Sequence, residues 1–113
     1  MTKIIRLGYL DYAEGHCGNI KNANLNNIDI SVTYLKANKA REHYHKNTTE
    51  LYYVAKGKGK IKLDDKIHDI SEGDLIEISP LTRHKAFSEN GLEILVIASP
   101  ALSPSDNYFV DEE

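Results

Sequence analysis

His43 and His45, separated by one residue and followed by Glu50, are the side chains of this chain best suited by type and spacing to do chemistry. Side chains alternate along an extended strand, so the two histidines project from one face and can grip a single metal ion. The gap Lys46-Asn47-Thr48-Thr49 is polar and long enough for a hairpin loop. It predicts a chain reversal that sets Glu50 at the start of the neighbouring strand, about 4.8 Å away. Two imidazoles and one carboxylate suit Mn, Fe, Co, Ni or Zn and leave coordination positions open for water or substrate. For a fourth ligand only His16, His68 and His84 remain. His84 alone stands in a strand-like setting, after the Gly73-Asp74 turn and the run Leu75 to Ser79, and it is assigned that place.

Closed by Gly57, the first stretch resembles the first motif of the cupins: glycine, five residues, His-x-His, three or four residues, Glu, six residues, glycine. The stretch from Gly73-Asp74 through Pro80 to His84 resembles the second cupin motif, a Gly-Asp turn leading through a strand to Pro-Gly-x-x-His. The resemblance covers roughly residues 30 to 98. It implies an all-β double-stranded β-helix, the jelly-roll barrel, in which His43, His45, Glu50 and His84 hold one divalent ion (Mn, Fe, Ni, Zn or Co). Ala37 stands where the first motif has its leading glycine, and Leu81 where the second has glycine after proline. Both replacements are expected to adopt ordinary backbone angles.

A chain of 113 residues is expected to form one domain. The barrel core is placed at about 28–98, with an N-terminal arm over 1–27 and a C-terminal tail over 99–113. The formal net charge of -3, with both signs interspersed, offers no broad cationic field for nucleic acid and no polybasic segment for a membrane. The longest apolar stretch, Leu92 to Ala98, is broken by Glu93 and too short to span a bilayer. The first residues lack the apolar run of a signal peptide, and a lone Cys17 makes no internal disulfide. A soluble cytoplasmic protein is the expectation.

Short β-rich segments divided by turn signals recur, and no window holds a helical stripe. Ile28, Ile30, Val32 and Tyr34 alternate with Asp29, Ser31, Thr33 and Leu35, which predicts a half-buried strand with the first set inward. Leu51 to Ala55 follows Glu50 as another strand, and Asp64-Asp65 marks a tight hairpin. Pro80 should interrupt pairing, and Asn90-Gly91 is a hairpin signal. Lys56, Lys58, Lys60 and Lys62 alternate as on a strand edge guarded against aggregation. The Asn- and Gly-rich N-terminal arm is expected to supply edge strands or to reach over a neighbouring subunit. The C-terminal tail is expected to be mobile apart from a docked Tyr108-Phe109-Val110.

Strand parity extends the metal-facing set to Arg41, Tyr52, Ala86 and Ser88. The planar fork of Arg41 suits a substrate carboxylate or phosphate, and Tyr52 can donate a proton or a hydrogen bond; the alternatives are a solvated rim for Arg41 and plain packing for Tyr52. His16 and Cys17, as neighbours in a strand, should face opposite ways and share no metal. His68 is read as a surface residue. The resemblance implies the breadth of the small cupins, from isomerases, dioxygenases and lyases to non-enzymatic binders. The leading expectation is a metal-dependent enzyme acting on a small oxygen-rich metabolite such as a sugar or keto acid, and the alternative is a non-catalytic small-molecule binder. Homodimerisation is also expected.

Overall fold

The structure, a computed structural model, describes residues 2–38 and 41–113. Among the described residues ten strands follow one another: β1 (Ala13–Glu14), β2 (Gly18–Asn22), β3 (Ser31–Ala37), β4 (His43–Tyr44), β5 (Thr49–Leu63), β6 (Lys66–Ser71), β7 (Leu75–Ile78), β8 (His84–Phe87), β9 (Leu92–Ser99) and β10 (Tyr108–Phe109). All pairings are antiparallel, and the order β1-β2-β3-β9-β5-β8-β4-β10 leaves β6 and β7 as further partners of β5. The fold is all-β, as the residue pattern predicts, and it is the curled jelly-roll barrel that the motif resemblance implies.

The fifteen-residue β5 serves both layers of the barrel. Its first half pairs with β9 and β7, and its second half with β6 and β8. A register shift between Val54 and Lys56, followed by Gly57 at φ 83, carries the strand from one layer to the other. A side chain at Gly57 would bring Cβ to 2.3 Å from the Gly91 carbonyl oxygen, so the motif glycine is required both by its backbone angle and by the close approach of the next layer.

This crossing explains three departures from the sequence reading. The gap 46–49 is no hairpin, because β4 pairs with β8 and β10 while Glu50, the second residue of β5, lies in the opposite layer. Asn90-Gly91, with Gly91 at φ 95, likewise joins β8 in one layer to β9 in the other rather than turning a hairpin. The lysines of β5 do not mark an edge: Lys58, Lys60 and Lys62 all pair with neighbouring strands, and their alternation reflects the solvent face of a strand whose Ile61 lies inside. Asp64-Asp65 does form the expected two-residue hairpin, with Asp64 at φ 52, a region aspartate tolerates.

The core between the layers holds Leu35, Val54, Ile61, Ile78, Leu92, Ile94 and Val96. Burying each contributes roughly 1.5–3 kcal/mol relative to exposure. In β3 the expected parity is inverted. Thr33, Leu35 and Ala37 are buried, whereas Ile28 is 58% exposed outside the strand. The reason lies in Thr33, which lines the interior cavity and donates its hydroxyl to Asn22 Oδ1 at 2.7 Å, so a polar residue faces inward and misleads the alternation. Residues of the N-terminal arm form β1 at the edge of the sheet and β2 beside it.

Far from trailing away, the segment after β9 docks along its length. β10 pairs with β4, Val110 N donates to the Glu42 carbonyl, and Asp106 is buried. Tyr108 stacks on Tyr44, and Arg83 pairs with Glu113. No helix among the described residues is long and apolar enough to cross a membrane.

Candidate metal centre

Two short strands of one layer carry His43 and His84, His45 follows the first of them directly, and the part of β5 that lies in the other layer brings the carboxylate. His43 opens β4 and pairs directly with His84 at the start of β8, which places their rings 4.3 Å apart between centroids. His45 follows β4, its ring 5.2 Å from His43 and 5.7 Å from His84. Glu50, held between Ile78 and Ala98 in the opposite layer, sets Oε1 at 2.9 Å from His84 Nε2 and 3.2 Å from His45 Nε2. All four residues are buried, and their donor atoms lie within 4.8 Å of one another. The four side chains assigned from sequence therefore converge.

Each imidazole is oriented from behind. His43 Nδ1 lies 3.0 Å from the Arg41 carbonyl oxygen, His84 Nδ1 2.8 Å from that of Thr82, and His45 Nδ1 2.7 Å from that of Asp106. A carbonyl oxygen only accepts, so each Nδ1 carries a proton, and the neutral form of each ring has its lone pair on Nε2. This arrangement fixes tautomer and orientation in metal-ligating histidines.

His45 Nε2, His84 Nε2 and Glu50 Oε1 are buried without a hydrogen-bond partner, despite their proximity. Leaving a buried polar atom unsatisfied costs about 1–3 kcal/mol. Three such atoms aimed at one point are accounted for by a cation, whose bonds to nitrogen and oxygen ligands run to about 2.0–2.2 Å. The residues present fit a divalent ion.

The electrostatics agree with a site built around Glu50. Burial alone would raise its carboxyl, yet His45 and His84 outweigh that and hold it at about 2. Burial first, then the neighbouring His84, lowers His43 to about 4 and favours the neutral ligand form. His45 is the exception: burial opposes its protonated form, but the adjoining Glu50 raises it above the ordinary value.

His43, His45 and Glu50 form part of the wall of a cavity of about 580 Å³. Tyr52 also lines it, its ring edge-on to His84 at 6.0 Å, and burial followed by the Glu50 charge pushes its hydroxyl pKa well above 10. Ala86 faces the core beside His84, as parity predicts. Arg41 and Ser88 do not follow parity, because both lie outside the strands. Arg41 precedes β4; its guanidinium packs 3.6 Å from the Phe109 ring centroid and pairs with Asp111 and Glu112. Ser88 follows β8 and donates to the Lys58 carbonyl.

Several lining residues were not legible in the sequence. His16 and Cys17 both line the cavity, because they occupy a bend before β2 rather than a strand. The His16 ring lies edge-on to Phe109 at 4.9 Å, and Cys17 Sγ stands 3.9 Å from His43 Nδ1. Burial, then Glu50, pushes the Cys17 thiol up to about 11. Leu102, Asn107 and Phe109 reach the cavity from the C-terminal segment. His68, as expected, lies exposed on β6.

Among proteins with similar sequences, an uncharacterised protein of Methanocaldococcus jannaschii is 32% identical over 71 residues, 61% of this chain and 57% of that protein. The aligned part thus spans little more than half of that relative's length. A crystal structure from Planctomyces limnophilus superposes with a TM-score of 0.87 at 29% identity, covering 96% of this chain and 97% of the other. The fold is also that of Streptomyces Pac13, described as a nucleoside dehydratase; a single-residue variant of it with uridine gives a TM-score of 0.84 at 19% identity over 97% of this chain and 92% of that one. Residues 31–98 match the Cupin domain family, spanning both motif stretches and all four converging side chains, and the chain belongs to that family.

Proposed function

We propose that the chain is a metal-dependent cupin enzyme acting on a small oxygen-rich metabolite, a sugar or keto acid, by isomerase, dioxygenase or lyase chemistry. His43, His45, Glu50 and His84 hold one divalent ion, and the observation that carries the reading is the set of buried, partnerless donor atoms facing one point. When bound, such an ion supplies Lewis acidity toward a carbonyl or enediol oxygen, or oxygen chemistry if it is iron. The side chains do the rest. Tyr52, whose hydroxyl is kept protonated, donates a hydrogen bond or a proton to a substrate oxygen. Ile20, Leu35, Val96 and Phe109 shape an apolar wall, while Asn22 and Asn107 offer neutral hydrogen-bonding groups. The cavity volume falls in the range of small-molecule sites, and the uridine seen in Pac13 sets a scale for its occupant.

Turnover of a small carbonyl or polyol substrate that disappears on chelation and returns with one particular divalent ion is the expected result. Loss of bound metal without loss of fold in His45→Ala would support the site. Unchanged metal content in that variant counts against it, and recovery of every ligand unaltered after incubation with the metal-loaded protein would favour capture over catalysis.

The proposal includes a homodimer. On the outer face of the first layer Leu75, Tyr53 and Leu95 form one cross-strand row and Leu51 and Ile97 another, with Leu75 64% and Tyr53 42% exposed. An apolar row of this kind marks an association surface. Light scattering should give twice the chain mass, and Tyr53→Glu should halve it.

A further inference from the structure

Asp106 lies outside the matched cupin region, yet its main chain meets the His45 ring from behind and its side chain holds the backbone of the two residues that follow His45. The local sequence explains its rigidity. Ser103 caps the short 3-10 turn Pro104–Asp106 through its hydroxyl, Pro104 presets the first turn position, and Asp106 N donates to the Ser103 carbonyl at 3.0 Å. The turn presents the carboxylate of Asp106, a residue only 8% exposed, to the connection between His45 and Glu50. Its Oδ1 accepts from Lys46 N at 2.8 Å, and its Oδ2 accepts from Asn47 N at 3.0 Å. The carbonyl of the same residue receives His45 Nδ1–H at 2.7 Å.

We propose that Asp106 is a positioning residue of the metal centre, its carboxylate clamping the turn between two ligands while its carbonyl fixes the tautomer and aim of His45. The clamp spans the connection that runs from one layer to the other, where no strand pairing holds the backbone in register. Two hydrogen bonds to a charged acceptor supply that restraint and are stronger than neutral ones. Thr48 adds a third tie to the same segment by donating to the Pro100 carbonyl at 3.0 Å. The two-residue anchoring makes His45 a ligand whose direction is set by a segment distant in sequence.

The inference rests on the metal reading, and its test separates the two. Full-length protein and the variants Asp106→Ala and Asp106→Asn are compared by Co²⁺ titration against a competing chelator, by the visible spectrum of the Co²⁺ form, and by imidazole ¹⁵N shifts of the metal-free form. Asp106→Ala should bind Co²⁺ about 10- to 100-fold more weakly, the range typical for loss of an outer partner. Its spectrum should change, and metal-free His45 should become a mixture of tautomers. Asp106→Asn, which keeps one acceptor oxygen, should be intermediate and serves if the alanine variant fails to fold. A lower melting temperature with wild-type affinity, spectrum and tautomer would overturn the proposal, leaving Asp106 a purely structural anchor. Should the wild type itself bind no Co²⁺, the metal reading fails, while the His45 tautomer still decides whether Asp106 positions the ring.

Discussion

His43 and His84 are oriented by their own surroundings, whereas His45 is oriented from the far end of the chain. In the first two the ring nitrogen meets the carbonyl of the residue two positions earlier, Arg41 or Thr82, so the bond forms as soon as the strand does. His45 instead meets a carbonyl 61 residues away, and its backbone carbonyl accepts from Leu81 N at 2.7 Å. Two members of the ligand set thus come preassembled on the paired strands β4 and β8. The third depends on loops. Rigid elements hold site geometry better than loops do, so the His45 side is where the centre should yield first.

The largest effect expected is loss of a ligand from the preassembled side. His84→Ala should reduce metal affinity well beyond the 10- to 100-fold typical of an outer partner, because it removes a donor rather than its support. Metal content after dialysis against a fixed chelator concentration measures this directly. A smaller loss for His84→Ala than for Asp106→Ala would reverse the ranking of the two sides.

Acid should act on the two sides in opposite senses. His43 in the metal-free protein titrates near 4 instead of 6.5, so between those values the folded state binds fewer protons than the unfolded chain. Its contribution is complete above pH 6.5 and is lost as the pH falls toward 4, with a ceiling of roughly 3 kcal/mol. His45, whose shift is upward, contributes below 6.5 and loses that contribution as pH rises through its folded value, which reduces the net slope. Urea unfolding of the metal-free protein should therefore show lower stability at pH 4.5 than at pH 7.5. His43→Gln should flatten the difference, and a wild-type protein equally stable at both values would contradict the buried neutral state of His43.

The contrast between local and distant support also explains what could be read from sequence. Ligand identities were legible because His43 and His45 obey a spacing and the stretch from Gly73 to His84 obeys another. The β architecture was legible from the turn signals, and Asp64-Asp65 behaved as short-range chemistry predicts. Layer crossings were not. A polar gap such as 46–49 looks the same whether it joins hydrogen-bonded neighbours or opposite sheets, since the choice is made by packing across the barrel. Inward Thr33 defeated the apolar alternation of β3, and the bend at His16-Cys17 defeated parity by not being a strand. Asp106 carried no signal at all, because its partners are main-chain groups that any sequence possesses.

Leu81 sharpens the comparison from the other side of His45. It was expected to adopt ordinary angles in a glycine position, but it sits at φ 71, where a side chain is disfavoured by roughly 1–2 kcal/mol. The side chain gains little in return, being 63% exposed, while its N–H secures the His45 carbonyl. Leu81→Gly relieves the conflict and keeps the bond, offset in part by the greater backbone freedom of glycine when unfolded. A net gain of up to about 1 kcal/mol is expected, read as a raised melting temperature with unchanged metal content. A destabilised variant would mean that the leucine packs against something it covers only in solution.

The smallest effect belongs to the outer ion pairs of the C-terminal segment. Arg41 joins Asp111 and Glu112 at the surface, where solvent screens the charges and such pairs contribute little. If the inner clamp at Asp106 governs His45, Arg41→Ala should leave Co²⁺ affinity and the His45 tautomer as they are. What it should change is local: the Phe109 ring loses the guanidinium stacked on it, and β10 loses an outer tie beyond its pairing with β4. Faster hydrogen exchange at the Val110 amide, which donates to the Glu42 carbonyl, is the expected signature. Exchange that accelerates together with a weakened metal affinity would show that the whole segment, rather than its one buried turn, supports the centre.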